Sequence, residues 1–116
     1  MTLDRLLGNV LIDRKALILV DIEGAEYQML QGAETTLRNH PAPIWMIEIT
    51  VKTHQPFNIT INPNLNVTFE TFFSRCYRAF SVEGGRREIT QLDIADWLKQ
   101  KVSPPGHNFI FQQMNA

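Results

Sequence analysis

A chain of 116 residues with 44% hydrophobic content supports one globular domain, near the lower limit of what an α/β architecture needs. Eleven basic residues against twelve acidic ones leave a formal charge of -1, which removes the electrostatic case for nucleic acid or an anionic membrane surface. The longest apolar run has only the length of a strand, so no membrane span or export signal is predicted and a cytoplasmic protein is expected.

The elements alternate along the chain. "TLDRLLGNV" predicts a short helix or turn with Thr2 or Asp4 as its cap and Gly8 at its end. "KALILVDI" follows as a strand without polar alternation, the pattern of a strand covered on both faces in the middle of a parallel sheet. After Gly24, the spacing of Tyr27, Leu30, Ala33 and Leu37 predicts one amphipathic helix, stopped by Asn39 and Pro41. "PIWMIEI" is a second apolar strand. A helix between two such strands makes a βαβ unit, so the acidic ends of the two strands are expected to be neighbours.

From Thr50 to Asn66 the Pro and Asn punctuation predicts a loop beside those strand ends. Phe69, Phe72, Phe73 and Cys76 then define the inner stripe of a helix, so the single cysteine is expected in the core. "YRAFSV" is a strand and "EGG" its turn, with "GGRRE" a solvated turn. Thr90 and Asp93 have capping-box spacing ahead of a helix that presents Leu92, Ala95 and Leu98 on one side. Pro104, Pro105 and Gly106 end that segment, and "NFIFQ" supplies the last strand. Four strands and about three helices result.

The chemistry concentrates where "LILVDIEG" ends. Open parallel sheets place ligands beyond the carboxyl ends of their strands, where Asp21 and Glu23 stand. Glu48 closes the second strand, and His54 lies in the loop after it. No zinc pattern can be assembled from Cys76 with His40, His54 and His107, and the sequons at Asn58 and Asn66 are expected to be coincidental. Tyr27, Trp45 and Trp97 suit packing positions.

Asp21, Glu23, Gly24, Glu26, Leu30, Gly32, Ala33 and Leu37, following a hydrophobic strand, resemble the FkbM family of S-adenosylmethionine-dependent methyltransferases. "TLD" ahead of the strand, Glu48 in the next one, "CYRAF" and the terminal "NFIFQ" extend the resemblance over nearly the whole chain. It implies a Rossmann-like sheet of seven strands whose cofactor lies on the first three strand ends, beginning at a glycine-rich turn. No such turn precedes Leu17 and no G-x-G occurs anywhere. The expectation is an α/β fold corresponding to the C-terminal half of that domain, from a truncated or longer protein.

The function implied is methyl transfer from S-adenosylmethionine to a hydroxyl of a sugar, lipid-linked or secondary-metabolite acceptor. Asp21 is the expected residue at the reacting atoms, as base, orienter or metal ligand, with Glu23 second. Gly24 would form the tight turn on the cofactor side, and Glu48 and His54 would contact the acceptor. Glu26 is expected only to favour the helix dipole. Two alternatives stay open: "DIE" as a loose D-x-D metal site of a nucleotide-sugar glycosyltransferase, and a non-catalytic half-domain kept for assembly. The partners foreseen are a small-molecule acceptor and either a second copy of the chain or a complementary N-terminal half.

Overall fold

A computed structural model of the chain describes residues 2–11, 14–21, 25–50, 62–99 and 104–113. It shows a mixed α/β fold. The elements are α1 (Leu3–Leu7), β1 (Leu17–Val20), α2 (Glu26–Gln31), α3 (Glu34–Leu37), β2 (Ile44–Glu48), α4 (Leu65–Phe73), β3 (Tyr77–Ser81), β4 (Glu88–Ile89), α5 (Gln91–Leu98) and β5 (Asn108–Gln113). The five strands form one sheet in the order β1-β2-β5-β3-β4. β1 and β2 are parallel, with Leu17 opposite Ile44 and Val20 opposite Ile47. β5 inserts antiparallel between β2 and β3, and β4 adds an antiparallel edge to β3.

One face of this sheet holds the core. Trp45 and Ile47 of β2, Ala79 of β3 and Phe109 and Phe111 of β5 are fully buried, and the helices close over them with Leu30, Leu37, Phe69, Phe72, Ile94 and Trp97. Phe72 stacks on Phe111 with ring centroids 4.0 Å apart, and Phe69 meets Phe109 edge-on at 5.2 Å. Trp45 donates its indole N–H to the Tyr77 hydroxyl at 3.3 Å, and that hydroxyl donates to the Leu37 carbonyl at 3.2 Å. The Trp45 indole and the Tyr77 hydroxyl are thereby satisfied, as burial requires. Burial pushes the Tyr77 phenol above its ordinary pKa, against the lowering by Trp45.

The opposite face differs from the sequence expectation. Alternate residues of β1 are open, with Leu17 62% and Leu19 68% exposed, while Ile18 and Val20 pack toward the core. The unbroken apolar run of β1 is therefore covered on one face only among the described residues. Ile44, Met46, Phe80 and Ile110 on the same side are half-buried.

The expected single helix after Gly24 is divided. Gly32 separates α2 from α3, because α1 docks into the break: a Cβ on Gly32 would lie 2.8 Å from Thr2 Cβ, and the Asp4 N–H donates to the Gly32 carbonyl at 2.9 Å. The Asp4 carboxylate then accepts from the Thr35 N–H at 2.9 Å and from the Thr36 N–H and hydroxyl at 2.7 Å each. These are orphan donors of the first turn of α3, so Asp4 caps a helix thirty residues away rather than its own. Thr2 caps α1, accepting from Arg5 N–H at 3.2 Å, and Gly8 ends it as expected.

Other differences are local. Among the described residues there are five strands and five helices, the extra strand being the two-residue β4. α4 begins at Leu65, inside the expected loop, and residues 51–61 of that loop lie outside the described residues. Cys76 is exposed, not in the core, because α4 ends at Phe73 and the chain turns through a left-handed φ of 65° at Cys76. The Thr90–Asp93 capping box of α5 forms, but its buried residues are Ile94 and Trp97. Leu92, expected inside, is 79% exposed, since the indole of Trp97 takes the core side against Phe69.

Several carboxylates hold this fold together. Burial raises the pKa of Asp4, but hydrogen bonds from Thr36 and Thr35 outweigh it and hold Asp4 below the usual carboxylate range. Glu34, bonded by Arg75 and Arg38, is lowered to about 2. A depressed folded-state pKa contributes stability that is complete above the unfolded value and vanishes as pH falls through the folded one. Thermal melts should therefore show stability falling from the ordinary carboxylate range near pH 4.5 toward about 2, the two values that bound Glu34. Asp4→Ala should lower stability by about 1–2 kcal/mol at neutral pH in urea titration and shrink that acid-side loss.

Candidate functional site

The parallel register of β1 and β2 brings their carboxyl ends level. Asp21 follows Val20, which lies opposite Ile47, so Asp21 is aligned with Glu48 at the end of β2. The two acidic strand ends are neighbours, as the sequence predicts. A shallow cleft of about 180 Å³ opens there, lined by Leu19, Val20, Asp21, Met46, Glu48 and Asn108. Asp21 is exposed and Glu48 half-buried.

Asn108 is the lining residue that sequence reasoning missed. It opens β5 directly opposite Glu48 in the antiparallel register, so the two side chains share a face of the sheet. Glu83, in the turn after β3, fixes it: Asn108 donates its backbone N–H and its side-chain Nδ2 to the Glu83 carboxylate at 3.1 Å each, and the His107 N–H donates at 3.2 Å. Nothing in the local sequence pairs residue 83 with 108. The available signal is a polar residue at the head of the apolar run "FIF".

Glu83 is therefore a structural acid. Burial raises its pKa, while the His107 and Asn108 N–H groups lower it further, leaving it below the usual range. Gly106 lets this carboxylate lie against the backbone, since a Cβ there would overlap it. On the other side of Glu48, the Ile49 N–H donates to the His107 carbonyl at 2.7 Å. Asn62 donates to the Thr50 carbonyl at 3.0 Å, tying the chain beyond β2 to the start of α4.

Of the residues expected to act, Asp21 and Glu48 are brought together. Glu23, Gly24 and His54 lie outside the described residues. Glu26, expected only to favour the helix dipole, lies in the first turn of α2 and is only 3% exposed. Among the described residues, no three His, Cys, Asp or Glu side chains form a group able to hold a metal ion, and no helix is long and apolar enough to cross a membrane.

Two carboxylates and an amide on one rim, beside the apolar surface of Leu19, Val20 and Met46, suit a ligand that donates hydroxyl hydrogen bonds from a partly apolar body. The family model described as Methyltransferase FkbM domain matches residues 1–77, which include β1, β2 and both carboxylates. No curated protein and no solved structure matches the chain. Removing the tether of Asn108 should be measurable: Glu83→Ala is expected to cost about 1–3 kcal/mol in urea denaturation, because the N–H donors of His107 and Asn108 lose their acceptor. Gly106→Ala should act in the same direction by displacing that carboxylate.

Proposed function

Because the chain belongs to the FkbM methyltransferase family, matched over residues 1–77, we propose that its strand-end cleft is the acceptor side of an O-methyltransferase site. The family implies S-adenosylmethionine as methyl donor. The observation that carries the proposal is the alignment of Asp21 with Glu48 at one cleft within the matched residues. In this reading Asp21 accepts a hydrogen bond from the acceptor hydroxyl and takes its proton, and Glu48 with Asn108 orients the acceptor body. Glu23 is the second carboxylate of the site, Gly24 shapes the turn toward the cofactor and His54 contacts the acceptor. A sugar, lipid-linked or secondary-metabolite hydroxyl is the class proposed.

The described residues do not fit the whole cofactor. A cleft of about 180 Å³ is below the roughly 300 Å³ at which pockets for ligands of that size begin. The sequence also has no glycine-rich turn to bring backbone N–H groups close to such a ligand. We infer that the chain corresponds to the C-terminal half of a Rossmann-like methyltransferase domain, with the cofactor-binding half supplied by another segment. The parallel β1–β2 pair with α2 and α3 between its strands supports this, as does the open face of β1.

Two measurements test the reading. Calorimetric titration of the 116-residue chain with S-adenosylmethionine should give weak binding or none, and tight stoichiometric binding would refute the assignment of the cofactor to another segment. In an active assembly containing this chain, transfer of labelled methyl to hydroxyl acceptors should fall by about 100-fold or more in Asp21→Asn, with cofactor affinity unchanged. Unaltered turnover would return Asp21 to a structural role. Loss of metal-dependent nucleotide-sugar binding instead would identify the glycosyltransferase chemistry.

A further inference from the structure

The side-chain amide of Asn108 has a fixed direction at the rim of the strand-end cleft. An ionised carboxylate only accepts hydrogen bonds, and the lowered pKa of Glu83 keeps it ionised at neutral pH. The end of the amide that meets Glu83 at 3.1 Å is therefore the Nδ2 donor. Asn108 lines the cleft and Glu83 does not, so the nitrogen turns away from the cleft and Oδ1 lies on the cleft side. The backbone of Asn108 is held as well. Its N–H donates to Glu83 at 3.1 Å, and its carbonyl accepts from the Val82 N–H at 3.0 Å.

With the amide in that direction, the rim is a row of acceptors. Asp21, Glu48 and Asn108 occupy corresponding positions at the ends of three neighbouring strands, β1, β2 and β5. Neighbouring strands lie about 4.8 Å apart, so the row is about 10 Å long. Leu19 and Met46, two residues before Asp21 and Glu48, share their face of the sheet and supply apolar surface beside the row. A saturated ring bearing several hydroxyls matches both features, with O–H donors along its edge and C–H groups on its face. The two carboxylates attract an ammonium substituent on such a ring and repel a phosphate or a carboxylate.

We propose that Glu83 is a positioning residue for this cleft: by holding Oδ1 of Asn108 toward the ligand it completes a row of three acceptors, which selects a neutral or ammonium-bearing polyhydroxylated ring over a phosphorylated or carboxylated one. The proposal rests on the reading of the cleft as the acceptor side of the site, and it narrows the acceptor class to neutral sugars, amino sugars and cyclic polyols. Glu83 itself touches no ligand. It acts through Asn108, and Gly106 leaves the space its carboxylate needs to do so.

Nuclear magnetic resonance titration of the isotope-labelled 116-residue chain with glucosamine, glucose and glucose 6-phosphate, each to about 50 millimolar, tests the selection by binding alone. Backbone amide signals of Val20, Asp21, Glu48 and Asn108 should shift with glucosamine and glucose. Glucose 6-phosphate should bind more weakly than glucosamine by about tenfold or more. Asn108→Leu keeps the backbone N–H groups of positions 107 and 108 on Glu83, and it should weaken glucosamine by about threefold or more. Glu83→Gln replaces one acceptor oxygen with a donor, which favours the reversed Asn108 amide. It should narrow the preference for glucosamine over glucose 6-phosphate by about threefold or more, whereas a purely structural role would weaken all three sugars alike. Equal binding of glucose 6-phosphate, no shift at those four residues with any of the sugars, or an unchanged preference in folded Glu83→Gln would overturn the proposal. If Glu83→Gln does not fold, Asn108→Leu decides, and unaltered glucosamine affinity overturns it. Selective binding by a chain whose assembly transfers no methyl group would remove the methyltransferase reading and leave the proposal standing. Methyl transfer without the selectivity would do the reverse.

Discussion

The contact between Phe72 of α4 and Phe111 of β5, stacked at 4.0 Å, is the point on which the rest of the arrangement depends. Phe111 lies opposite Trp45 of β2 on one side and Ala79 of β3 on the other. One aromatic pair therefore joins the helical layer to the three central strands. Trp45, Phe69, Phe109 and Trp97 extend the same seam, and rings of this size supply a large share of the apolar burial in a chain this short. Because the seam lies on one face of the sheet, the helices gather there, and among the described residues nothing covers Leu17 and Leu19 on the other face.

That one-sidedness positions the site. β5 runs antiparallel to β2, so its first residue, Asn108, arrives where β2 ends at Glu48. Parallel pairing of β1 brings Asp21 level with the same point. Three polar groups from segments far apart in sequence then share one rim. The acids of the chain divide by what surrounds them. Asp4, Glu83 and Asp93 accept backbone N–H groups and hold helix starts or a strand start in place, each kept below the ordinary carboxylate range by those bonds. Asp21 and Glu48 line the cleft instead, where a ligand can reach them.

Several of these features are legible in the residues. The apolar runs "LILV" and "IWMIE", the phenylalanine stripe of α4, the Thr90–Asp93 cap and the acidic ends of the first two strands each depend on residues within a few positions of one another. The errors share a cause. Leu92 and Trp97 compete for one side of α5, and which wins depends on the distant ring of Phe69. Cys76 continues the stripe of α4 in spacing, yet the helix stops before it so that β3 can begin at Tyr77. Helical periodicity runs through Gly32, but α1 packs against that glycine and Asp4 starts a new helix beyond it.

The sequence by itself therefore determined the class of elements, the parallel pairing implied by strand, helix and strand, the family resemblance and the two carboxylates at the strand ends. Those follow from periodicity and short-range chemistry, which act over a few residues. Only the tertiary structure decided that β5 lies between β2 and β3, that Asn108 meets Glu48 under the hold of Glu83, and that β1 is covered on one face only among the described residues. The reason is that an apolar run states the need for burial without saying what will cover it. The covering residues are dozens of positions away, and the order in which strands join a sheet is set by how distant side chains fill a shared core.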